Sequence, residues 1–254
     1  MSWWGGRAPD TLYKTVRARA QGGTTPLVAT TNLDGGDRTP VSTGPRQRAL
    51  GERYAAHNRG RGRGFIYGGA ERAQALRAFL QVPAQGLVLD LGCRDGSLAD
   101  ALGLPSERTI GADIDAEALI AAGVAGTEAP CRADLWGGFP FRDQSFALAV
   151  AGEIVEHVPF PEEFIGEVAR VLLPGGRVVG SVPNAFRIRN RLTFVAGRWF
   201  DADPTHLRQF SPASLRQLLE GRFTQVRIRP CVGRLAAVWP RMLGNDLVWT
   251  GVKS

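Results

Sequence analysis

Residues 88–98 read VLDLGCRDGSL. An apolar run passes into a loop cornered by Gly92 and Gly96, then into a segment that can begin a helix. That is the order of a buried strand feeding a helix through a tight turn. The customary guest of such a turn is a phosphate, because unpaired backbone N–H groups at a helix start attract anions. Asp90 and Asp95 argue against that guest. GCRDG also lacks the G-x-G-x-x-G spacing of dinucleotide sites, and the chain has no GxxxxGK[ST] phosphate loop. Together with acids at later strand ends, the loop belongs to a crevice that suits a ligand with hydroxyls, an amine and positive charge.

Outward from this loop, helices and strands alternate. The pattern predicts a helix over 71–80 that ends before Pro83, a strand over 87–91 and a helix over 97–102. It continues with a strand over 109–112, a helix over 116–122, a short strand near 128–132 and a buried strand over 145–151. Pro161 opens the next helix, PEEFIGEVARVLL, as proline suits a first turn, and Glu162 and Glu163 favour its positive end. Gly175-Gly176 is expected to stop it before a strand over 177–182. Such alternation predicts an α/β domain with a parallel sheet covered on both faces.

Ligands on such sheets sit beyond the carboxyl ends of the strands. Asp90, Asp113, Asp134 and Glu153 each fall at or just after the end of a successive strand, so one crevice receives all four. Asp95 and Asp115 are read as helix caps.

The chain has 254 residues, of which 44% are apolar, enough for a sizeable core. No stretch approaches the roughly 18 consecutive apolar residues of a membrane span, and MSWWGGRAPD has no apolar signal region. A cytoplasmic protein without a membrane span is expected. Cys93, Cys131 and Cys231 are odd in number and lack CxxC or Cys/His spacing, so reduced thiols and no metal are expected.

The formal net charge of +7 is unevenly spread. Residues 1–64 hold 11 basic and 4 acidic side chains, 65–184 hold 8 and 16, and 185–254 hold 12 and 4. Residues 1–64 are rich in Gly, Thr, Pro and Arg, a composition that buries too little to offset chain entropy. They are read as a basic, largely disordered Arg/Gly extension with a short helix near 46–56, preceding a domain at 65–254.

Four segments taken together carry a resemblance: VLDLGCRDGSL, IGADIDAEAL, RADLWGGFPFRDQSFALAVAGEIVEHV and EVARVLLPGGRVVGSVPN. In this order and spacing, over about residues 87–184, they resemble the motif series of class I S-adenosylmethionine-dependent methyltransferases. HLRQFSPASLRQLLE and GRFTQVRI are similar to the continuation in its small-molecule and glycan branch. The resemblance implies a doubly wound, Rossmann-like, mostly parallel seven-stranded sheet with helices on both faces and an antiparallel final strand. It implies S-adenosyl-L-methionine as cofactor. Gly92 and Gly96 would let the loop approach the methionine portion, and Asp90 would order its ammonium group. Asp113 would take the ribose hydroxyls, Asp134 with the Leu135 amide would read the adenine, and Cys93, Ile114 and Glu153 complete the expected set. Arg94 departs from the family's usual glycine. Either its side chain points outward, or its guanidinium meets the methionine carboxylate.

Methyl transfer needs mainly an acceptor held in line and close, which in ideal models is worth roughly 7–11 kcal/mol. A hydroxyl acceptor can also need a base, and His157 and His206 are the candidates. The alternatives are a histidine bonded to Glu156 and a lid-packing residue. Residues 184–210 interleave Arg187, Arg189, Arg191 and Arg198 with Phe186, Phe194, Trp199 and Phe200. They read either as a lid over an anionic or glycosylated acceptor, or as an amphipathic surface helix. The expected activity is O-methylation of a small-molecule or glycan acceptor. An RNA methyltransferase using NRGRGRG and the basic C-terminal third is the alternative, so nucleic acid is not excluded as a partner. A catalytically silent cofactor-binding scaffold is another.

Overall fold

The computed structural model describes residues 45–59, 68–124, 130–233 and 239–254. Residues 60–64 of the Arg/Gly run, the expected disorder of residues 1–44 and the start of the strand expected near 128 lie outside the described residues.

In chain order the helices are α1 (Pro45–Asn58), α2 (Gly69–Arg77), α3 (Ser97–Leu102), α4 (Ala116–Val124), α5 (Pro161–Val171), α6 (Ile188–Val195), α7 (Pro212–Glu220) and α8 (Pro240–Leu243). The strands are β1 (Leu87–Leu91), β2 (Thr109–Asp113), β3 (Cys131–Arg132), β4 (Phe146–Gly152), β5 (Leu172–Pro183), β6 (Phe223–Cys231) and β7 (Asp246–Lys253). They form one seven-stranded sheet in the order β3-β2-β1-β4-β5-β7-β6. The pairs from β3 through β5 are parallel, and β7 runs antiparallel to both β5 and β6. This is the doubly wound, Rossmann-like sheet with an antiparallel final strand. The order reverses between β1 and β4, where an open α/β sheet leaves a crevice.

Both faces of the sheet are covered, which is why its inner strands are continuously apolar rather than alternating. Val88, Leu148, Val150 and Val179 pack with Leu76 of α2 and Leu102 of α3. Leu89, Leu91, Ala149 and Val178 pack with Phe164, Ile165 and Val168 of α5. Each fully buried Leu, Ile, Val or Phe side chain of this kind contributes about 1.5–3 kcal/mol.

Two boundaries differ from expectation. Helix α5 stops at Val171, because Leu172 already has extended backbone and pairs with Phe146 before the turn at Gly175 (φ +74°). The helix expected near 46–56 runs from Pro45 to Asn58 and packs on the domain. Among the described residues, no helix is long and apolar enough to cross a membrane.

Candidate functional site

The ends of β1, β2 and β4 meet α1 around one cavity. Gly92, Asp113, Ile114, Asp134, Leu135 and Glu153 line it. These are six of the nine residues expected to hold a cofactor. Asp90 and Cys93 are buried outside the lining, and Gly96 begins α3 with φ +78°.

The glycine corner is steric as well as conformational. Gly92 has φ +70°, and a Cβ there would stand 2.8 Å from Ile154 Cδ1. Arg94, where the family prefers glycine, keeps a left-handed backbone at φ +48°. Its N–H donates to Asp113 Oδ2 at 2.9 Å, so the backbone of Arg94 positions the β2 acid. Arg94 is a lining residue of the cavity, and its guanidinium lies 3.6 Å from Asp95 Oδ2. Asp95 accepts from the Ser97 amide and hydroxyl, and Asp115 from the Glu117 and Ala118 amides, the capping roles read from sequence.

The acids are unevenly satisfied. Asp113 Oδ1 accepts from the Asp115 N–H at 2.8 Å, and Asp134 Oδ1 from the Trp136 N–H at 3.0 Å. Asp90 is 1% exposed, and its Oδ2 has no hydrogen-bond partner among the described residues. Burial, then the nearby Asp113 charge, pushes its carboxyl up to about 7. Burial likewise pushes Asp113 up to about 6, against the pull of its N–H bonds. Glu153 turns into the cavity wall at φ +53° and is held by Arg72 Nη2 at 3.0 Å.

One wall was not foreseen as part of the site. Leu50, Tyr54, His57 and Asn58 of α1 line the cavity, within the segment read as an extension. Asn58 Nδ2 donates to Asp115 Oδ2 at 3.0 Å, and a Cβ at Gly51 would meet Arg132 at 2.9 Å. The sequence signal was a helix pattern in a basic, weakly apolar segment. Its value depends on what it lies against.

The second wall carries the histidines. His157 lines the cavity, with its ring 4.8 Å from that of His206 and 5.9 Å from that of Tyr54. His157 Nδ1 lies 3.1 Å from the Thr205 carbonyl, which only accepts, so Nδ1 carries the proton. Its Nε2 is 4.0 Å from Glu156 Oε1, too far for the hydrogen bond to Glu156 considered from sequence. Burial, then His206, brings His157 down to about 4, which keeps it neutral at pH 7. His206 Nδ1 meets Asp201 Oδ2 at 2.8 Å, and His57 Nε2 meets Asp203 Oδ2 at 3.1 Å. All three histidines of the chain therefore gather here.

The arginines of 184–210 lie elsewhere. Arg187, Arg189, Arg191 and Arg198 are not among the cavity's lining residues. No residue of α6 is buried, and Leu192, Phe194 and Val195 are exposed, the arrangement of the surface-helix alternative. The end of this segment reaches the site through Asp203, Thr205 and His206.

Comparison with known proteins agrees with this geometry. Residues 67–222 match the family model described as a methyltransferase domain. A protein of Mycolicibacterium smegmatis named a probable S-adenosylmethionine-dependent methyltransferase is 32% identical over 133 residues, 52% of this chain and 49% of that one. A ubiquinone biosynthesis O-methyltransferase of Klebsiella pneumoniae is 30% identical over 102 residues, 38% of this chain and 42% of its own. The chain spans about half the length of the curated relatives it matches. The solved structure of an S-adenosylmethionine-dependent methyltransferase from Thermotoga maritima shares the fold at TM-score 0.60 and 19% identity, covering 82% of this chain and 97% of that one. The unpartnered Asp90 oxygen, the close corner at Gly92 and the acids at three strand ends suit a ligand with an ammonium group and vicinal hydroxyls, as S-adenosylmethionine has. The chain belongs to the methyltransferase-domain family, with S-adenosylmethionine as the cofactor its crevice fits.

Proposed function

We propose that the chain transfers a methyl group from S-adenosylmethionine to an oxygen of a small hydroxylated acceptor, a metabolite or a sugar-containing molecule. The observation that carries the donor half is Asp90, a buried carboxylate left with an open acceptor position below the Gly92 corner. Asp90 would hold the ammonium group, Asp113 the ribose hydroxyls, and Asp134 with Leu135 and Ile114 the adenine. Cys93 is a buried thiol whose Sγ lies 3.8 Å from the Arg94 carbonyl of the same loop. When bound, the cofactor supplies an electrophilic methyl on a sulfonium centre.

The chain's own residues do the rest by orientation. Arg94 N–H fixes Asp113, Arg72 fixes Glu153, and Tyr54 of α1 lines the cavity. His157 lines the cavity with Nδ1–H committed to the Thr205 carbonyl and Nε2 left for a hydroxyl, and His206 packs against its ring at 4.8 Å, anchored to Asp201. These two imidazoles and the O-methyltransferase name of one relative support the oxygen reading. Calorimetry with S-adenosylmethionine and S-adenosylhomocysteine, beside NADH and ATP, tests the donor half. Transfer of labelled methyl to fractionated metabolites and, separately, to RNA tests the acceptor. Labelling of RNA alone would replace the small-molecule reading.

Two expected results follow from the acids. Asp113→Ala weakens cofactor binding by about 1–3 kcal/mol, since two hydroxyls lose a charged acceptor. Asp115→Ala weakens affinity much less, and costs about 1 kcal/mol or more of stability through the lost cap and the lost bond from Asn58. Equal losses of affinity at both positions would refute the assignment.

Cofactor affinity also depends on pH. An ammonium ligand favours ionised Asp90, so binding releases a proton wherever that carboxyl is protonated in the free protein. With Asp90 at about 7 and Asp113 at about 6, affinity is full above pH 7 and falls on acidification. The slope approaches about tenfold per pH unit below 7 and steepens below 6. Isothermal titration of S-adenosylhomocysteine between pH 8 and 5 reads this slope, and in Asp90→Asn the portion above pH 6 disappears.

A further inference from the structure

Glu156 is 1% exposed, and neither of its carboxylate oxygens has a hydrogen-bond partner among the described residues. Neither protonation state is satisfied. An ionised carboxylate lacks a donor, and a protonated one lacks an acceptor for its O–H. Beside it stand two imidazoles, each anchored through Nδ1. His157 Nδ1–H faces the Thr205 carbonyl, and His206 Nδ1 lies 2.8 Å from Asp201 Oδ2, with its Nε2 4.0 Å from Asp203 Oδ2. On each ring Nε2 is the nitrogen left for a ligand bond. A histidine anchored through one nitrogen by a carbonyl or carboxylate, with the other left bare, is the arrangement found at metal ligands. One donor atom from each of Glu156, His157 and His206 lies within 4.8 Å of the other two. Donors at about 2.1 Å from a cation stand roughly 3–4 Å apart, so small side-chain rotations close the set.

From this geometry we infer that Glu156, His157 and His206 form a binding site for one divalent cation at the acceptor end of the cavity. Two imidazoles and one carboxylate suit a transition cation such as Mn²⁺, Fe²⁺ or Zn²⁺ better than Ca²⁺, which takes oxygen ligands. Three protein ligands leave coordination positions open, and His157 places one side of the site on the cavity wall. The role of the site, which rests on the methyl-transfer reading, is to bind the acceptor hydroxyl. On the cation the O–H bond breaks and its proton passes to water. The oxygen's electron pair then forms the O–CH₃ bond as the C–S bond breaks, and that bond's pair stays on sulfur. The two histidines act as ligands rather than as the base.

The test uses the full-length, untagged protein, stripped with chelator and desalted. Mn²⁺ is titrated in and the free ion followed by electron paramagnetic resonance, with Zn²⁺ in a competing arm. One saturable site per chain is expected in the micromolar range, with Zn²⁺ displacing Mn²⁺. Glu156→Gln and His206→Asn should each weaken Mn²⁺ binding by about 100-fold or more, and Asp201→Asn by about 10–100-fold. S-adenosylhomocysteine affinity of the metal-free variants should stay within about twofold of the parent, which shows the cavity intact. Should Glu156→Gln fail to fold, His206→Asn, at a position 14% exposed, decides. The inference is overturned if the parent binds S-adenosylhomocysteine but no Mn²⁺ or Zn²⁺ below millimolar concentration. It is equally overturned if binding persists unchanged in the variants. A chain that binds Mn²⁺ at these residues but not S-adenosylhomocysteine would instead refute the methyl-transfer reading.

Discussion

Arg72→Met is expected to lower stability by about 3–5 kcal/mol at pH 7.5, because it strands two buried carboxylates. Arg72 is 4% exposed and lies on α2, yet it bridges the ends of two strands. Its Nη2 is 3.0 Å from Glu153 Oε2 and 3.0 Å from Asp246 Oδ2, and its Nε donates to Asp246 at 3.2 Å. Burial raises Glu153, and the guanidinium opposes that shift. Removing the cation raises it further, so the variant loses stability as pH rises, and the gap from the parent narrows on acidification. Arg72→Lys should fall between, since an ammonium cannot span both carboxylates as a planar fork does. Urea melts of the three proteins at pH 7.5 and 5.5 check the size and sign. A cost under about 1 kcal/mol at pH 7.5 would mean that the bridge carries little. The effect extends to function, because Glu153 is a wall of the cavity that Arg72 holds in place. Cofactor affinity should weaken together with stability.

Gly180→Ala is expected to cost about 3 kcal/mol or more, beyond the usual range for overpacking. Gly180 lies in β5 between Ala151 of β4 and Trp249 of β7. A Cβ there would stand 2.3 Å from Trp249 Cζ2 and 2.5 Å from the Ala151 carbonyl oxygen. Trp249 is fully buried, so the indole has nowhere to swing, and the carbonyl belongs to the sheet. For a chain of this size the melting point should drop by about 6–12 °C. Trp249→Leu in the same background should recover part of the loss, and a double-mutant cycle measures the coupling. If the single variant melts with the parent, or the cycle shows no coupling, the close approach is not the cause.

The acids show how much of the site could be read in advance. Asp90 and Asp113 were legible because each ends an apolar run that becomes a strand, Asp134 because it follows the short strand β3, and parallel topology carries successive strand ends to one edge. Their unequal states were not legible. Asp113 is held by two backbone N–H groups while one Asp90 oxygen is left open, a difference made by loop geometry and burial. Glu153 was placed by the same rule, but its partner Arg72 lies 81 positions away on another helix, and pairing at that separation leaves no local pattern.

The chain by itself determined the alternation of elements, the α/β class, the glycine corner at Gly92 and the caps at Asp95 and Asp115. These are local consequences of periodicity, backbone freedom and side-chain reach over a few residues. Tertiary structure decided the rest. It laid the polar helix α1 over the cavity, left the arginines of 184–210 outside the lining, and drew His57, His157 and His206 together around Asp201, Asp203 and Glu156. The physical reason is that a buried charge or a bare imidazole nitrogen has meaning only through what faces it. What faces it is set by packing between segments 50–150 residues apart, where sequence spacing imposes no geometry.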